Sequence, residues 1–372
     1  MWKKTAVFTF FVIIMLGMIF QAIGREHELH GVSEETPLSV SAGGLWAGSS
    51  QSDMEAWLDG KLVLRTWLIP IRNQIVYSVF HTSTNDEVVL GKNGNLFEER
   101  YLTAETQITP PVGDEDMEAL AERIKILNDR LEEKGKSLFI FITPSKAHVY
   151  SEDIPDLYLK LAPDTKEVSS YSKLIQKLEE NGIAYFDSVP YVLELKENAE
   201  YPVYTKTGVH WSRVAALEAS GRLMDEMERQ LSINLPEIAV DYLPTSEAIE
   251  PDRDLEELLN IWKGQDLDFY APSITVTDEE KDSVRLLARG GSFMQTSIMA
   301  LTGQGYFDSY FYMENTLLVD DGEISYFSEY EELDLDAEIE QADIVLLEVN
   351  EEAVDRMSFG FIDYMLDNIL VD

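Results

Sequence analysis

Apolar residues recur at helical spacing through Met117, Leu120, Ile124, Leu127 and Leu131, after an acidic opening at Asp114 and Asp116, and Gly135 ends the run. The pattern predicts a helix. Ser137 to Ile142 follows as a short, unbroken apolar stretch that reads as a buried strand, with Pro144-Ser145-Lys146 at its carboxyl end. The same grammar repeats. Tyr171 to Asn181 is helical in pattern, Gly182 stops it, and Ile183-Ala184-Tyr185-Phe186 forms a second strand with Asp187 at its tip. Ser212 is placed to cap a helix running to about Leu231. Val284 to Ala288 and Ile344 to Asn350 supply a third and a fourth strand. Strands of this kind interleaved with helices predict an α/β fold, a mainly parallel sheet covered by helices on both faces, with ligands at the carboxyl ends of the strands. Ahead of these elements, Val88-Val89-Leu90 and Leu96-Phe97 flank Asn93-Gly94, a β-hairpin signature.

The amino-terminal pattern differs. Lys3 and Lys4 precede an apolar run from Thr5 to Ile23, about 28 Å as a helix and long enough to span a bilayer. The lysines predict a cytoplasmic amino terminus and an extracytoplasmic main domain. Ala22-Ile23-Gly24 keeps open the alternative of a cleaved signal peptide and a secreted chain. Residues 1–24 are therefore read as anchor or signal, 25–51 as a polar stalk, and 52–372 as the folded domain. Within the last, Asp53 to Phe80 is apolar and aromatic, which suits helices on the main core or a surface that meets a membrane or membrane partner.

Composition narrows the function. A net charge of -40, or -42 with Lys3 and Lys4 set aside, excludes general affinity for nucleic acid or anionic lipid. A neutral or weakly charged glycan is easier to accommodate than a polyanion. The absence of cysteine removes disulfides, thiolate catalysis and cysteine-ligated metals. No P-loop, dinucleotide fingerprint or zinc-protease helix occurs, and no cofactor or metal is expected.

Of five histidines, His210 in Thr205-Lys206-Thr207-Gly208-Val209-His210-Trp211-Ser212 sits in the most reactive setting. A neutral imidazole can take a proton from a hydroxyl and return it. The matching hydroxyl is Ser292, where a strand ends in Gly290-Gly291. Small residues there let a substrate approach the N–H groups of Gly291 and Ser292, which are candidate oxyanion donors. Asp187 and Glu348, at or near strand ends, are candidates for the acid behind the imidazole. Lys146, Trp211 and Asn350 are weaker candidates for substrate binding, with Trp211 reading as core rather than as a sugar platform. His27 and His30 read as solvated stalk residues, and His81 and His148 as surface or packing residues.

The motifs together resemble the AlgJ/AlgX-type SGNH-hydrolase-like proteins that O-acetylate polysaccharides outside the cytoplasm. The resemblance is carried by Gly91 to Phe97, by Ile142-Thr143-Pro144-Ser145-Lys146 with Tyr150 and Pro155, by Tyr204 to Ser212, by Gly290 to Phe293 and by Asp343 to Glu351. It implies an SGNH-hydrolase-like, flavodoxin-like fold, Ser292 as nucleophile and His210 as base. It further implies transfer of an acetyl group, delivered by an MBOAT-type membrane protein, onto a glycan hydroxyl. Two positions depart from the family's pattern. Its triad aspartate falls on Gly208, and the aspartate of its G-D-S-F motif falls on Gly291. A glycan esterase and a non-catalytic glycan-binding or assembly subunit are the other functions compatible with these residues.

Overall fold

The computed structural model describes residues 41–61, 63–277, 281–282, 284–295, 297, 308–312, 317–320, 323–326 and 329–371, with scattered positions before residue 41. Of the expected membrane segment residues 5, 7–12, 15, 18, 19 and 24 are described, and of the expected stalk residues 28–31 and 41–51, while His27 lies outside the described residues. Among the described residues, no helix is long and apolar enough to cross a membrane.

The chain divides into two compact units, one of Met1–Val89 with Leu255–Gln265 and one of Leu90–Asp254 with Asp266–Asp372. In the first, helices span Ala42–Ala47, Ser49–Lys61 and Val63–Phe80. Asn73, buried on the last of these, donates its side-chain amide to the Leu259 carbonyl at 2.8 Å. Leu68, Ile75, Val79 and Phe80 stay exposed on the same helix.

The second unit is an α/β layer structure. A small two-stranded sheet of β1 (Val88–Leu90) and β2 (Leu96–Glu98) precedes helices α1 (Glu99–Glu105) and α2 (Asp114–Glu133), which lead into β3 (Ser137–Thr143). Between β1 and β2, Asn93 adopts a positive φ of 53°, as its place in the turn requires. A short helix α3 (Lys146–Val149), then α4 (Ser170–Asn181), β4 (Tyr185–Asp187), α5 (Val189–Asn198) and α6 (Arg213–Leu231) follow. Beyond them lie β5 (Glu237–Thr245), Asp254 at the start of the short helix α7 (Asp254–Leu258) whose remainder belongs to the first unit, β6 (Phe269–Thr277), β7 (Arg285–Arg289), β8 (Asp308–Tyr312), β9 (Leu317–Asp320), β10 (Glu323–Tyr326), α8 (Leu335–Gln341) and β11 (Ile344–Asn350).

The main sheet runs in the order β10-β9-β8-β7-β11-β3-β4. Its members from β8 to β4 are parallel neighbours, and β9 and β10 extend the β8 edge antiparallel. β11 sits centrally, every residue buried, in register with β3 from Ile344 opposite Ser137 to Asn350 opposite Thr143. A strand buried on both faces has no polar alternation to show, which is why β3 and β11 read as continuous apolar runs. The α2 stripe Met117, Ile124, Leu127 and Leu131 packs into one core with Ile140, Ile142, Leu174, Leu347 and Phe361. β5 and β6 form a separate antiparallel ribbon, Glu237 opposite Thr277 through Thr245 opposite Phe269. Its alternation of exposed and half-buried side chains follows from one-sided cover.

This topology positions the site. Because the central strands are parallel, the loops after β3, β4, β7 and β11 emerge at one edge. Lys146, Asp187, Ser292 and Asn350 all lie on or beside those loops.

Candidate active site

Ser292 follows β7 directly, after Gly290 and Gly291. Gly290 matters because Glu348 of β11 lies against it. A Cβ on Gly290 would come within 2.7 Å of the Glu348 Cβ and of the Met294 sulfur, so only hydrogen fits. The imidazole of His210 arrives from another part of the chain. Tyr204 and Trp211 form an isolated antiparallel bridge, which folds residues 204–211 into a loop that presents His210. Trp211 anchors the loop from below. It is fully buried against the rings of Phe141 and Phe293, and its indole N–H donates to the Phe293 carbonyl at 3.1 Å. This bond ties the base loop to the residue next to Ser292.

The result is a continuous line of three side chains. The Ser292 Oγ lies 2.7 Å from His210 Nε2, and His210 Nδ1 lies 2.6 Å from Asp254 Oδ2. The imidazole and the Asp254 carboxylate keep 19% and 25% of their side-chain exposure, so solvent and a substrate can reach them. Asp254 also accepts the Val209 N–H on Oδ1 at 2.8 Å, which fixes the carboxylate against the loop it serves.

Asp254 is the acid that sequence reasoning missed. It lies 44 residues after His210, and no spacing rule links the two. The two expected acids are engaged elsewhere. Asp187 accepts the Tyr171 hydroxyl at 2.6 Å and the Val189 N–H at 3.0 Å. Glu348 accepts the Thr143 hydroxyl at 2.5 Å on one oxygen and the Gly291 N–H at 2.7 Å on the other. Burial pushes the Glu348 carboxyl above the ordinary range, against those two hydrogen bonds and the nearby His210. The Gly291 N–H, expected to face an oxyanion, is therefore committed to Glu348.

Gly208 explains how the acid can come from elsewhere. A Cβ there would sit 2.9 Å from the Pro251 carbonyl oxygen and 2.9 Å from Thr205 Oγ1. With hydrogen in its place, the segment leading to Asp254 packs directly on the base loop. Thr205 and Thr207 stitch the two together, both donating to the Asp252 carbonyl, at 2.5 and 2.8 Å.

Lys146 and Trp211 have structural positions where substrate contacts were expected. Lys146 is buried, and its Nζ donates to the carbonyls of Thr205, Gly208 and Lys206 at 2.7, 2.8 and 3.0 Å. Burial pulls its ammonium down to about 7, while the carboxylates of Asp254 and Asp153 oppose that shift. Three carbonyl acceptors hold one side of the base loop, and no donor remains for a ligand. Trp211 is too buried to stack on a sugar. Asn350 is nearer to its expected role. Its amide donates to the Pro144 carbonyl at 3.0 Å, and it lines a small hollow with Gly291, Ser292, Phe293, Glu348 and Arg356. A larger groove, about 790 Å³, adjoins this hollow through Arg356, Met357 and Phe359 but does not include Ser292 or His210.

Residues 88–317 match the family model described as SGNH hydrolase-like domain, acetyltransferase AlgX, and all three side chains of the line fall inside that match. The chain is 24% identical over 160 residues to the probable alginate O-acetylase AlgJ of Pseudomonas aeruginosa, covering 43% of this chain and 38% of that protein. Among solved structures, it resembles the O-acetyltransferase domain of Pseudomonas putida AlgJ with TM-score 0.45 and 17% identity, over 72% of this chain and 91% of that one. Pseudomonas aeruginosa AlgX gives TM-score 0.43 and 16% identity, over 79% and 69% of the two chains. Bacillus cereus PatB1 with a sulfonyl adduct gives 0.43 and 12%, over 72% and 97%. The matched region covers most of the sequence motifs and the whole of the Ser292, His210 and Asp254 line, and on that ground the chain belongs to the SGNH hydrolase-like AlgX acetyltransferase domain family.

Proposed function

We propose that the protein is an extracytoplasmic O-acetyltransferase that moves an acetyl group onto hydroxyls of a cell-surface or exported polysaccharide. The observation that carries this reading is the hydrogen-bonded line from the Ser292 hydroxyl through His210 to Asp254. Asp254 keeps the proton of His210 on Nδ1, so Nε2 presents its lone pair to Ser292. In the first half, Ser292 Oγ attacks the donor's acetyl carbonyl while Nε2 takes the hydroxyl proton. Collapse of the tetrahedral intermediate returns that proton to the departing group and leaves acetyl-Ser292. In the second half, a sugar hydroxyl gives its proton to Nε2 and attacks the acetyl carbonyl. Breaking the ester then restores the serine hydroxyl with the same proton. The Ser292 N–H, at the start of a helical turn, is the donor we assign to the oxyanion, since Glu348 holds its neighbour.

The size of the hollow supports an acetyl group over longer chains. It measures about 40 Å³, and at roughly 10–15 Å³ for each water-sized group it takes about three such groups. The adjoining groove suits an extended acceptor. The amino-terminal apolar run supports tethering with the catalytic unit outside the cytoplasm, and an MBOAT-type membrane protein is the donor that family membership suggests. Partition of the acetyl group tests the reading. With an activated acetyl ester and a neutral oligosaccharide, acetylated sugar is expected to exceed free acetate. Acetate alone would make the protein an esterase, and neither product would leave a glycan-binding or assembly subunit.

A further inference from the structure

Beside the loop after β3, three acidic side chains gather around a single imidazole. Glu105 ends α1, His148 lies in α3, and Glu351 and Glu352 follow β11. His148 Nδ1 is 3.1 Å from Glu105 Oε2 and 3.3 Å from Glu351 Oε2. Single ligand atoms of Glu105, His148 and Glu352 all lie within 4.8 Å of one another. One ring nitrogen faces both Glu105 and Glu351, and it can carry one proton at most. Glu351 is the informative member. Its side chain is wholly buried, Oε1 accepts the Ser145 N–H at 2.8 Å, and Oε2 points at the cluster without any hydrogen bond. A carboxylate oxygen desolvated in this way calls for either a proton or a cation. The cation that faces this oxygen is the His148 imidazolium, raised by its carboxylate neighbours, but its single Nδ1 proton is shared with Glu105 at 3.1 Å, Lys166 gives its Nζ to the Glu105 carbonyl, and Asp187 adds a further negative charge.

We propose that Glu105, His148, Glu351 and Glu352 form a binding site for one zinc ion. Ligand number and chemistry select the ion. Bonds of roughly 2.0–2.1 Å in a tetrahedron place ligand atoms about 3.4 Å apart, close to the separations around His148. The imidazole argues against calcium and magnesium, which prefer oxygen ligands throughout. Zinc would replace the proton on His148 Nδ1, answer the orphaned Glu351 oxygen, and pin α1, the β3 loop and the β11 loop together. Glu105 and His148 keep 19% and 31% of their side-chain exposure, which leaves a path for entry.

Zinc retention by the full-length protein tests the site. Protein loaded with ZnCl2 is desalted against a weak chelator, and bound metal is counted by mass spectrometry alongside Tm with and without ZnCl2. Wild type is expected to retain one zinc ion per chain more than the H148A/E351Q double variant, and to gain Tm in zinc while the variant does not. E352Q, which leaves the His148 to Glu105 ion pair intact, is expected to bind zinc at least tenfold more weakly and to unfold no earlier than wild type without metal. CaCl2 is expected to leave Tm unchanged. Equal zinc retention and equal Tm response in wild type and both variants would overturn the proposal and leave an ion pair only.

Discussion

Asp254 illustrates how the carboxylate behind an imidazole can come from a distant part of the chain. The imidazole needs a carboxylate at Nδ1 in a fixed direction, and the chain segment supplying it is immaterial to the chemistry. Here the position two residues before His210 carries glycine, and the acid reaches the ring from the segment after β5. Asp254→Asn keeps the size but removes the charge and allows the wrong tautomer. It is expected to lower the rate of Ser292 acylation by about a thousand- to ten-thousandfold with little change in Tm, measured with an activated acetyl ester. Gly208 is the enabling residue. Gly208→Ala places a methyl 2.9 Å from the Pro251 carbonyl, an overpacking that costs typically about 1–3 kcal/mol and pulls Asp254 from the ring. Its acylation rate and its Tm are both expected to fall, and Asp254→Asn combined with Gly208→Asp is not expected to recover activity.

At the scale of elements, Glu348 links β11 to the turn after β7 and shapes the floor of the site. Its carboxyl titrates above the ordinary range because burial disfavours the charge. Its folded-state pKa is thus above its unfolded value. The contribution to stability is complete below the ordinary carboxylate range and is lost as pH rises through the folded value. Glu348→Gln keeps an acceptor for the Gly291 N–H without a titrating group. The Tm of this variant relative to wild type is expected to improve steadily from pH 4 upward, and a pH-independent difference would contradict the assignment. Ser212 caps α6 by accepting the Ala215 N–H at 3.3 Å, so Ser212→Ala should cost about 1 kcal/mol in denaturant unfolding. Local signals made these elements legible before any coordinates. The apolar stripe of α2, the glycine stops after α2 and α4, and the unbroken runs of β3 and β11 are consequences of burial that sequence records directly. The ribbon of β5 and β6 was not anticipated. Its apolar residues are half-buried against one side only, and Pro244 and Pro272 interrupt the usual strand signature. Asp254 was illegible for a different reason. It shares a site with His210 only through the contacts of Thr205, Thr207 and Gly208 with Asp252 and Pro251, and such contacts leave no periodicity.

For the molecule as a whole, charge and position fix the conditions of use. A net charge of -40 repels itself and any anionic acceptor. Raising ionic strength from about 0.01 to 0.15 M shortens the screening length from roughly 30 to 8 Å, and Tm is expected to rise with NaCl across that range. Neutral acceptors are expected to show little salt dependence in KM, and uronate-rich acceptors a marked fall. Everything about the reaction depends on whether Ser292 carries the acetyl group. The direct measurement is peptide mass spectrometry after brief incubation of the folded protein with an activated acetyl ester. Acetyl on the Ser292 peptide in wild type, sharply reduced in Asp254→Asn and absent in His210→Ala, is the predicted result. An unmodified Ser292 in wild-type protein that is folded and exposed to the ester would contradict it.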